Sequence, residues 1–194
     1  GANTADSYNK FTLFNGYCPK KGADPSVTNN LGSTYTYTSI MRYAEVLLSY
    51  LEALNESSPS SVTQEILDRT INQIRSRVML PAIKKEDVAT QDLLRQAVRK
   101  ERRAELALEG LRYFDVLRWG TAEQELNHTF TGVKLSNDPA ASNYRGSGSS
   151  ASPVDKDMYY QFENRTWSKN NRYWPIPQND MNINKNLIQN EGYN

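Results

Sequence analysis

Two glutamates one helical turn apart, Glu101 and Glu105, have the types and spacing that most directly suggest chemistry. At about 100° per residue, both fall in the middle of one apolar helical stripe, whose members are Leu94, Ala97, Val98, Ala104 and Leu108. Carboxylates on a core-facing stripe must be paired or protonated, because burying an isolated charge is costly. One interpretation is a general acid and base, as in a glycoside hydrolase.

The other interpretation of these carboxylates is a buried ion-pair network that fixes the helix onto its neighbours. Candidate partners are the nearby Arg102, Arg103, Arg112 and Arg118 and, from the preceding helices, Arg42 or Arg75. We favour the network, because catalytic carboxylates usually come from different elements that face a cleft. The sequence therefore predicts a non-catalytic protein with no catalytic residue.

Aromatic side chains in polar, Asn-rich segments are the main binding candidates. The open faces of Tyr and Trp accept apolar ligand surfaces, and their polar tips suit a wet site. Segments 8–37 and 144–167 hold most of these rings, and we select Tyr35, Tyr37, Tyr144 and Trp167 as candidate ligand-binding residues. Sugar rings, with their C–H faces and hydroxyls, are the ligand class that fits. The alternative is that each ring packs its loop onto the scaffold.

Composition excludes several other functions. With 23 Lys plus Arg against 22 Asp plus Glu the net charge is +1, which gives no basic excess for nucleic-acid binding. One cysteine and one histidine exclude a disulfide framework and a Cys-rich or two-imidazole zinc site. No apolar run reaches the roughly 18 residues that span a bilayer. We expect neither a cofactor nor a metal.

The elements that must position these residues are helices. We predict one domain over 1–194, with a loop-rich lead-in (1–38), helices (39–127), and an irregular region ending in a C-terminal clamp (128–194). The first helix is capped by Thr38 or Ser39 and ends at Ser57-Ser58-Pro59, and the second runs from near Ser61 to Pro81. Together they form a hairpin of about 40 residues, the size of a helical-repeat module. The third opens at Thr90 or Asp92 and reaches Glu109, and a shorter helix runs over 111–119.

The clamp comprises residues 173–194. Two prolines force an extended backbone around Trp174, and apolar side chains follow at Ile176, Met181, Ile183 and Leu187. We expect this segment to lie over the helices and to bury those side chains.

Several segments, in this order, carry a family resemblance: RYAEVLL (42–48) with EALN (52–55), INQIRSR (71–77), ERRAEL (101–106), EGLR (109–112), DVLRWG (115–120), WPIP (174–177) and QNEGY (189–193). The ordered set resembles the C-terminal region of SusD/RagB outer-membrane proteins of Bacteroidetes. Glu191 stands where that family commonly has Pro, a small departure.

This resemblance implies a mainly α, SusD-like fold of tetratricopeptide-like helical hairpins with long irregular loop insertions. It also implies a surface-exposed outer-membrane lipoprotein that binds glycans, or sometimes peptides, and works with a SusC-type TonB-dependent transporter. A purely structural module packing against the transporter is the alternative. The lipid anchor is expected in an N-terminal part outside this sequence, since Cys18 lies in no lipobox. The resemblance transfers no binding residue.

Overall fold

The computed structural model describes residue 21 and residues 39–141 and 143–193. Within that part the chain is mainly helical, which confirms the predicted fold class. The helices are α1 (Tyr43–Ser57), α2 (Gln64–Arg69), α3 (Ile71–Arg77), α4 (Gln91–Glu105), α5 (Arg112–Arg118), α6 (Ala122–Leu126) and α7 (Gln178–Ile183). The strands are β1 (Thr129–Lys134) and β2 (Tyr159–Asn164), which pair antiparallel.

The contacts divide the chain into two compact units. We call the described residues of Lys21–Phe114 the helical unit and the described residues 115–193 the hairpin unit. The expected single domain over 1–194 stays a prediction.

The core of the helical unit lies between α1 and α4, with α2 and α3 packed beside them. Leu48 and Leu51 of α1 are fully buried, and Leu94 and Val98 of α4 are nearly so. Both pairs follow the i, i+3 or i, i+4 spacing that puts side chains on one helical face. Burying each such side chain contributes roughly 1.5–3 kcal/mol, which makes this interface the main source of the unit's stability.

Two helix boundaries differ from the sequence expectations. α1 begins at Tyr43 after Arg42, which gives no side-chain cap, and Ile40 before it is fully exposed. Ser39 therefore does not cap α1, and Thr38 lies outside the described residues. Thr70 splits the expected second helix into α2 and α3: its hydroxyl donates to the carbonyl of Ile66 at 2.6 Å, and its own backbone leaves the helical region. Side-chain hydrogen bonding of this kind competes with helix continuation.

α4 begins as predicted and ends early. The Thr90 hydroxyl accepts a hydrogen bond from the backbone N–H of Leu93 at 3.2 Å, which makes Thr90 the N-cap. The helix ends at Glu105, four residues before the predicted end. Leu108, at φ +67°, adopts a left-handed conformation that no helix can continue through. The following turn carries Glu109 back toward α1.

The hairpin unit contains a two-stranded sheet within the region predicted to be irregular. β1 and β2 pair with Phe130 opposite Glu163 and Lys134 opposite Tyr159, and the register is irregular between these points. The ring of Phe130 stacks on His128 at 4.2 Å between centroids, and the Arg165 guanidinium lies over its face at 4.6 Å. The cation–π contact links the two strand segments and so helps to stabilise a short two-stranded sheet.

The C-terminal segment is only partly buried. Ile176, Met181 and Leu187 are half-buried, but Trp174 is 78% exposed and Ile183 84% exposed, contrary to the expected burial of both. The segment holds its shape through polar contacts. The side-chain amide of Gln189 donates to the carbonyl of Ile176 at 3.0 Å and accepts from its N–H at 2.8 Å, as a neighbouring strand would.

Candidate functional site

The two core-facing glutamates of α4 lie against arginines of the helical unit. Glu101, 9% exposed at its side chain, accepts from Nη1 of Arg75 at 2.8 Å. Arg75 also donates from Nε to the carbonyl of Pro81 at 2.7 Å, so α4, α3 and the following loop meet at one ion pair. Among the described residues, the charged partner of Glu101 is therefore Arg75 of α3.

Glu105 belongs to a larger cluster centred on Arg42. Its carboxylate accepts from Nη1 of Arg42 at 2.8 Å and from Nη2 of Arg77 at 2.7 Å. Nε of Arg42 also donates to both oxygens of Glu109 at 3.0 Å, and Lys21 pairs with Glu109. Burial alone would raise the pKa of Glu109, but the hydrogen bonds from Arg42 and Lys21 outweigh it and lower that pKa below its ordinary value.

The other arginines predicted for the network have different surroundings. Arg102 is buried, donates to the Ser49 hydroxyl at 3.0 Å and lies 3.8 Å from a carboxylate oxygen of Glu52. Arg112 opens α5 and is half-buried. Arg118 pairs with Asp115 of the same helix at 2.9 Å. Sequence reasoning did not name Arg77, whose side chain reaches Glu105 from the end of α3.

The aromatic candidates are also separated. Tyr35 and Tyr37 lie outside the described residues. Tyr144 lies in the connection between β1 and β2 and forms an isolated bridge with Ser136. Trp167 follows β2 and lines a cavity of about 250 Å³ in the hairpin unit.

The cavity, which we call the Trp167 pocket, is lined by both apolar and charged residues. Its lining residues are Leu117, Gly120, Ala122, Glu123, Trp167, Lys169 and Arg172. Leu117 and Trp167 are half-buried and Ala122 is buried, whereas the three charged residues are exposed. Small-ligand sites combine apolar walls with a few polar groups in this way.

The backbone of Trp167 is fixed by a single side chain. Oδ1 of Asn127 accepts from the N–H of Trp167 at 2.5 Å, and Nδ2 donates to its carbonyl at 2.8 Å. The indole Nε1–H is buried and has no acceptor within the described part of the chain. An unpaired buried donor costs roughly 1–3 kcal/mol. Departures of this kind from local rules concentrate at functional sites.

Both cationic residues of the pocket belong to a single 3₁₀ turn, Lys169–Arg172, which we call the cationic turn. Ser168 and Asn171 cap it reciprocally: Oδ1 of Asn171 accepts from the Ser168 N–H at 2.8 Å, and the Asn171 N–H donates to the Ser168 carbonyl at 2.9 Å. Gly192, at φ +90°, lies so close to the side chain of Asn170 that a Cβ there would collide with it. Capping and the close approach of Gly192 both hold the turn in place.

Sequence reasoning found Trp167 but missed the charged residues beside it. Glu123 comes from α6, whereas Lys169 and Arg172 come from the cationic turn, and only the fold brings them together. One signal was available: Ser168 and Asn171 are spaced as a reciprocal cap, which indicates a helical turn directly after Trp167. In the described residues, no group of three or more His, Cys, Asp or Glu side chains is placed to hold a metal ion.

A mainly helical unit, followed along the chain by an irregular unit with a two-stranded sheet, is the class of fold that the described residues define. The sequence model of the SusD family matches residues 1–193, so this chain belongs to the SusD family. Among curated proteins, it is 38% identical over 95 residues to SusD-like protein P2 of Formosa agariphila, covering 46% of this chain and 18% of that protein.

Solved structures also resemble this chain in fold. A SusD-like protein from Bacteroides fragilis NCTC 9343 matches at a TM-score of 0.63 and 30% identity over 81% of this chain and 26% of that one. BT4246 matches at 0.63 and 23% identity, over 82% of this chain and 24% of that one, which shows the fold alone. The chain therefore spans about a quarter of the length of these structural relatives. None of its described helices is long and apolar enough to cross a bilayer.

Proposed function

We propose that this chain contributes a glycan-binding surface to a nutrient-binding protein of the outer membrane, and that it binds its ligand without transforming it. The observation that carries the proposal is the Trp167 pocket, with an indole and exposed charged groups held by capped, hydrogen-bonded backbone. Family membership supports the nutrient-binding role. Tyr35, Tyr37 and Tyr144 stay predictions of further contacts.

The pocket suits a sugar for two reasons. An indole face accepts the apolar C–H face of a sugar ring, and exposed ionic groups bond hydroxyls while keeping contact with water. Because an open, wet site recovers little beyond the cost of association and ordering, the affinity should be modest. We expect dissociation constants between micromolar and millimolar, about −4 to −8 kcal/mol.

Titration calorimetry with the full-length protein tests this proposal. The titrants are a panel of neutral and acidic oligosaccharides, with short peptides as a separate arm because a peptide is the alternative ligand. Trp167→Ala should weaken binding at least tenfold. Trp174→Ala is the matched control, since it removes an indole that is already 78% exposed and lies outside the pocket.

The outcomes separate the parts of the proposal. Equal binding by wild type and Trp167→Ala would place the site elsewhere, and binding of peptides only would replace the ligand class. Chromatography of the titrated samples should recover the oligosaccharides intact. Shortened products would overturn the non-catalytic assignment.

For the whole protein we propose a lipid-anchored position on the outer membrane and a SusC-like TonB-dependent transporter as partner. Both rest on family membership. Affinity purification of the tagged full-length protein from detergent-solubilised outer membranes should recover the transporter. Recovery of the protein in the soluble fraction, without that transporter, would contradict both parts.

The exposed side of α1 favours a second candidate function, a module that packs against the transporter. Tyr43, Val46 and Tyr50 are 67%, 46% and 54% exposed, and their i, i+3, i+7 spacing forms one apolar stripe beside the core face. Tyr43→Ser combined with Tyr50→Ser should reduce recovery of the transporter if this stripe is the contact. Unchanged recovery would exclude it.

A further inference from the structure

The charges at the Trp167 pocket are unbalanced. Lys169 and Arg172 stand against one carboxylate, Glu123, and within the described residues none of the three forms an ion pair. Many other charged side chains of this structure do pair, including Arg165 with Glu163 in the same unit. Two cations that pair with no carboxylate of the described residues leave this pocket with a net positive rim.

The two cations lie on the same side of their turn. A 3₁₀ helix has three residues per turn, so side chains at i and i+3 eclipse one another. Lys169 and Arg172 hold those positions in the cationic turn, and both line the cavity. The Arg172 guanidinium also lies 5.7 Å from the ring centroid of Tyr173, a contact that favours one arrangement of this side chain.

The turn is ordered before any ligand arrives. The reciprocal Ser168–Asn171 cap fixes its backbone, and Gly192 closes against Asn170 on the same turn. Because the backbone of the turn is already fixed, only the side chains of Lys169 and Arg172 lose conformational entropy when an anion binds. Arginine and lysine also form stronger hydrogen bonds with ionised acceptors than with neutral hydroxyls.

The cavity limits the size of what binds. About 250 Å³ is smaller than the roughly 300–1,000 Å³ of sites that enclose drug-sized ligands, so it fits one sugar ring rather than a length of chain. Its apolar lining residues Leu117 and Trp167 are suited to the C–H face of such a ring. The rim then meets the ring's substituents.

We propose that the Trp167 pocket selects an anionic sugar residue, one carrying a carboxylate or a sulfate ester, whose charge lies between Lys169 and Arg172. Glu123 on α6 disfavours the reverse orientation by repelling the anion, and it accepts hydrogen bonds from the ring hydroxyls. This inference rests on the proposed glycan-binding function and adds its ligand class.

Matched ligand pairs test the inference by calorimetry on the full-length protein. One arm compares an oligogalacturonide with the same oligosaccharide after reduction of its carboxyl groups. The other compares a sulfated galactan oligosaccharide with its desulfated form, so the two arms distinguish carboxylate from sulfate. In at least one arm the charged ligand should bind ten times more tightly or better, with an advantage that shrinks as salt rises.

Variants assign the preference to the pocket. Lys169→Gln combined with Arg172→Gln should abolish the preference while the neutral ligand still binds, and Glu123→Gln should increase it. Lys156→Gln combined with Lys185→Gln is the matched control, because it removes the same two charges from exposed positions outside the pocket. That control should retain the preference.

Each remaining outcome contradicts a stated part. Equal binding of charged and neutral ligands would overturn the anionic preference and leave the proposed function standing. A preference that survives in the Lys169/Arg172 double variant would overturn its assignment to the cationic turn. Absence of binding by every oligosaccharide, in wild type, would overturn the proposed function itself.

Discussion

Replacing Glu101 should destabilise the helical unit far more than replacing Glu105, although the two carboxylates share one face of α4 and are both 9% exposed at the side chain. The reason lies in the arginines each change leaves behind. In Glu101→Ala, the hydrogen bond to the Pro81 carbonyl is what Arg75 keeps among the described residues. Its side chain is 21% exposed, so water replaces little of what is lost.

In Glu105→Ala the two arginines that lose their carboxylate partner, Arg42 and Arg77, have other partners or water. Arg42 keeps both oxygens of Glu109 and the backbone carbonyl of residue 105, at 2.8 Å. Arg77 is 59% exposed and returns to water. Removing one member of a fully buried ion pair costs roughly 3–5 kcal/mol, and an exposed pair is worth roughly 0–1 kcal/mol. We therefore expect about 3 kcal/mol for Glu101→Ala and about 1 kcal/mol for Glu105→Ala.

Urea denaturation followed by far-UV circular dichroism measures both changes, because the signal comes mainly from the helices. In thermal denaturation followed by the same signal, the melting temperature changes by about 2–4 °C per kcal/mol for a chain of this length. It should therefore fall by roughly 6–12 °C for Glu101→Ala and roughly 2–4 °C for Glu105→Ala. Glu105→Ala with Arg42→Ala should cost more than Glu105→Ala alone. Equal losses for the two single variants, or a larger loss for Glu105→Ala, would refute the reasoning.

Two further predictions concern Gly192 and Glu109. Gly192→Ala should weaken oligosaccharide binding several-fold without loss of helix content, because the new Cβ would collide with the side chain of Asn170 in the cationic turn. The control is Gly148→Ala, which is also at positive φ but faces open space, and this variant should bind normally in the same titration. Because the pKa of Glu109 is lowered from its usual 4.5, the unfolded state binds more protons below that value. The free energy of unfolding should therefore be constant above about pH 5 and fall as the pH drops through the native pKa of Glu109. Urea midpoints measured across this pH range should fall less steeply in Glu109→Gln than in the wild type.

The sequence predicted the helices well where a local signal sets the boundary. The Thr90 cap is local, since one hydroxyl accepts from an N–H three residues later. The apolar stripe of α4 placed Glu101 and Glu105 among the core residues from spacing alone, and Arg75 and Arg42 were named among their possible partners. The choice among six candidate arginines depended on how α1 and α3 pack against α4, which no local pattern encodes.

The sheet and the Trp167 pocket could not be predicted from the sequence, because both depend on contacts between residues that are far apart along the chain. β1 and β2 pair across a long connection that contains a Gly/Ser-rich stretch, so no hairpin turn signal joins them. Trp167 could be selected by its residue type. Glu123 could not, because α6 and the cationic turn are far apart along the chain and meet only in the folded unit.

The C-terminal segment shows why apolar content alone does not predict burial. Its apolar residues suggested a clamp that covers the helices, yet Trp174 and Ile183 are exposed. What orders the segment is polar: the amide of Gln189 occupies both backbone groups of Ile176, as a neighbouring strand would. That arrangement needs no large buried area, because each backbone donor and acceptor has a partner. It also leads the chain to Gly192, where the absence of a Cβ permits contact with Asn170. The conformation of this segment therefore contributes to holding the cationic turn.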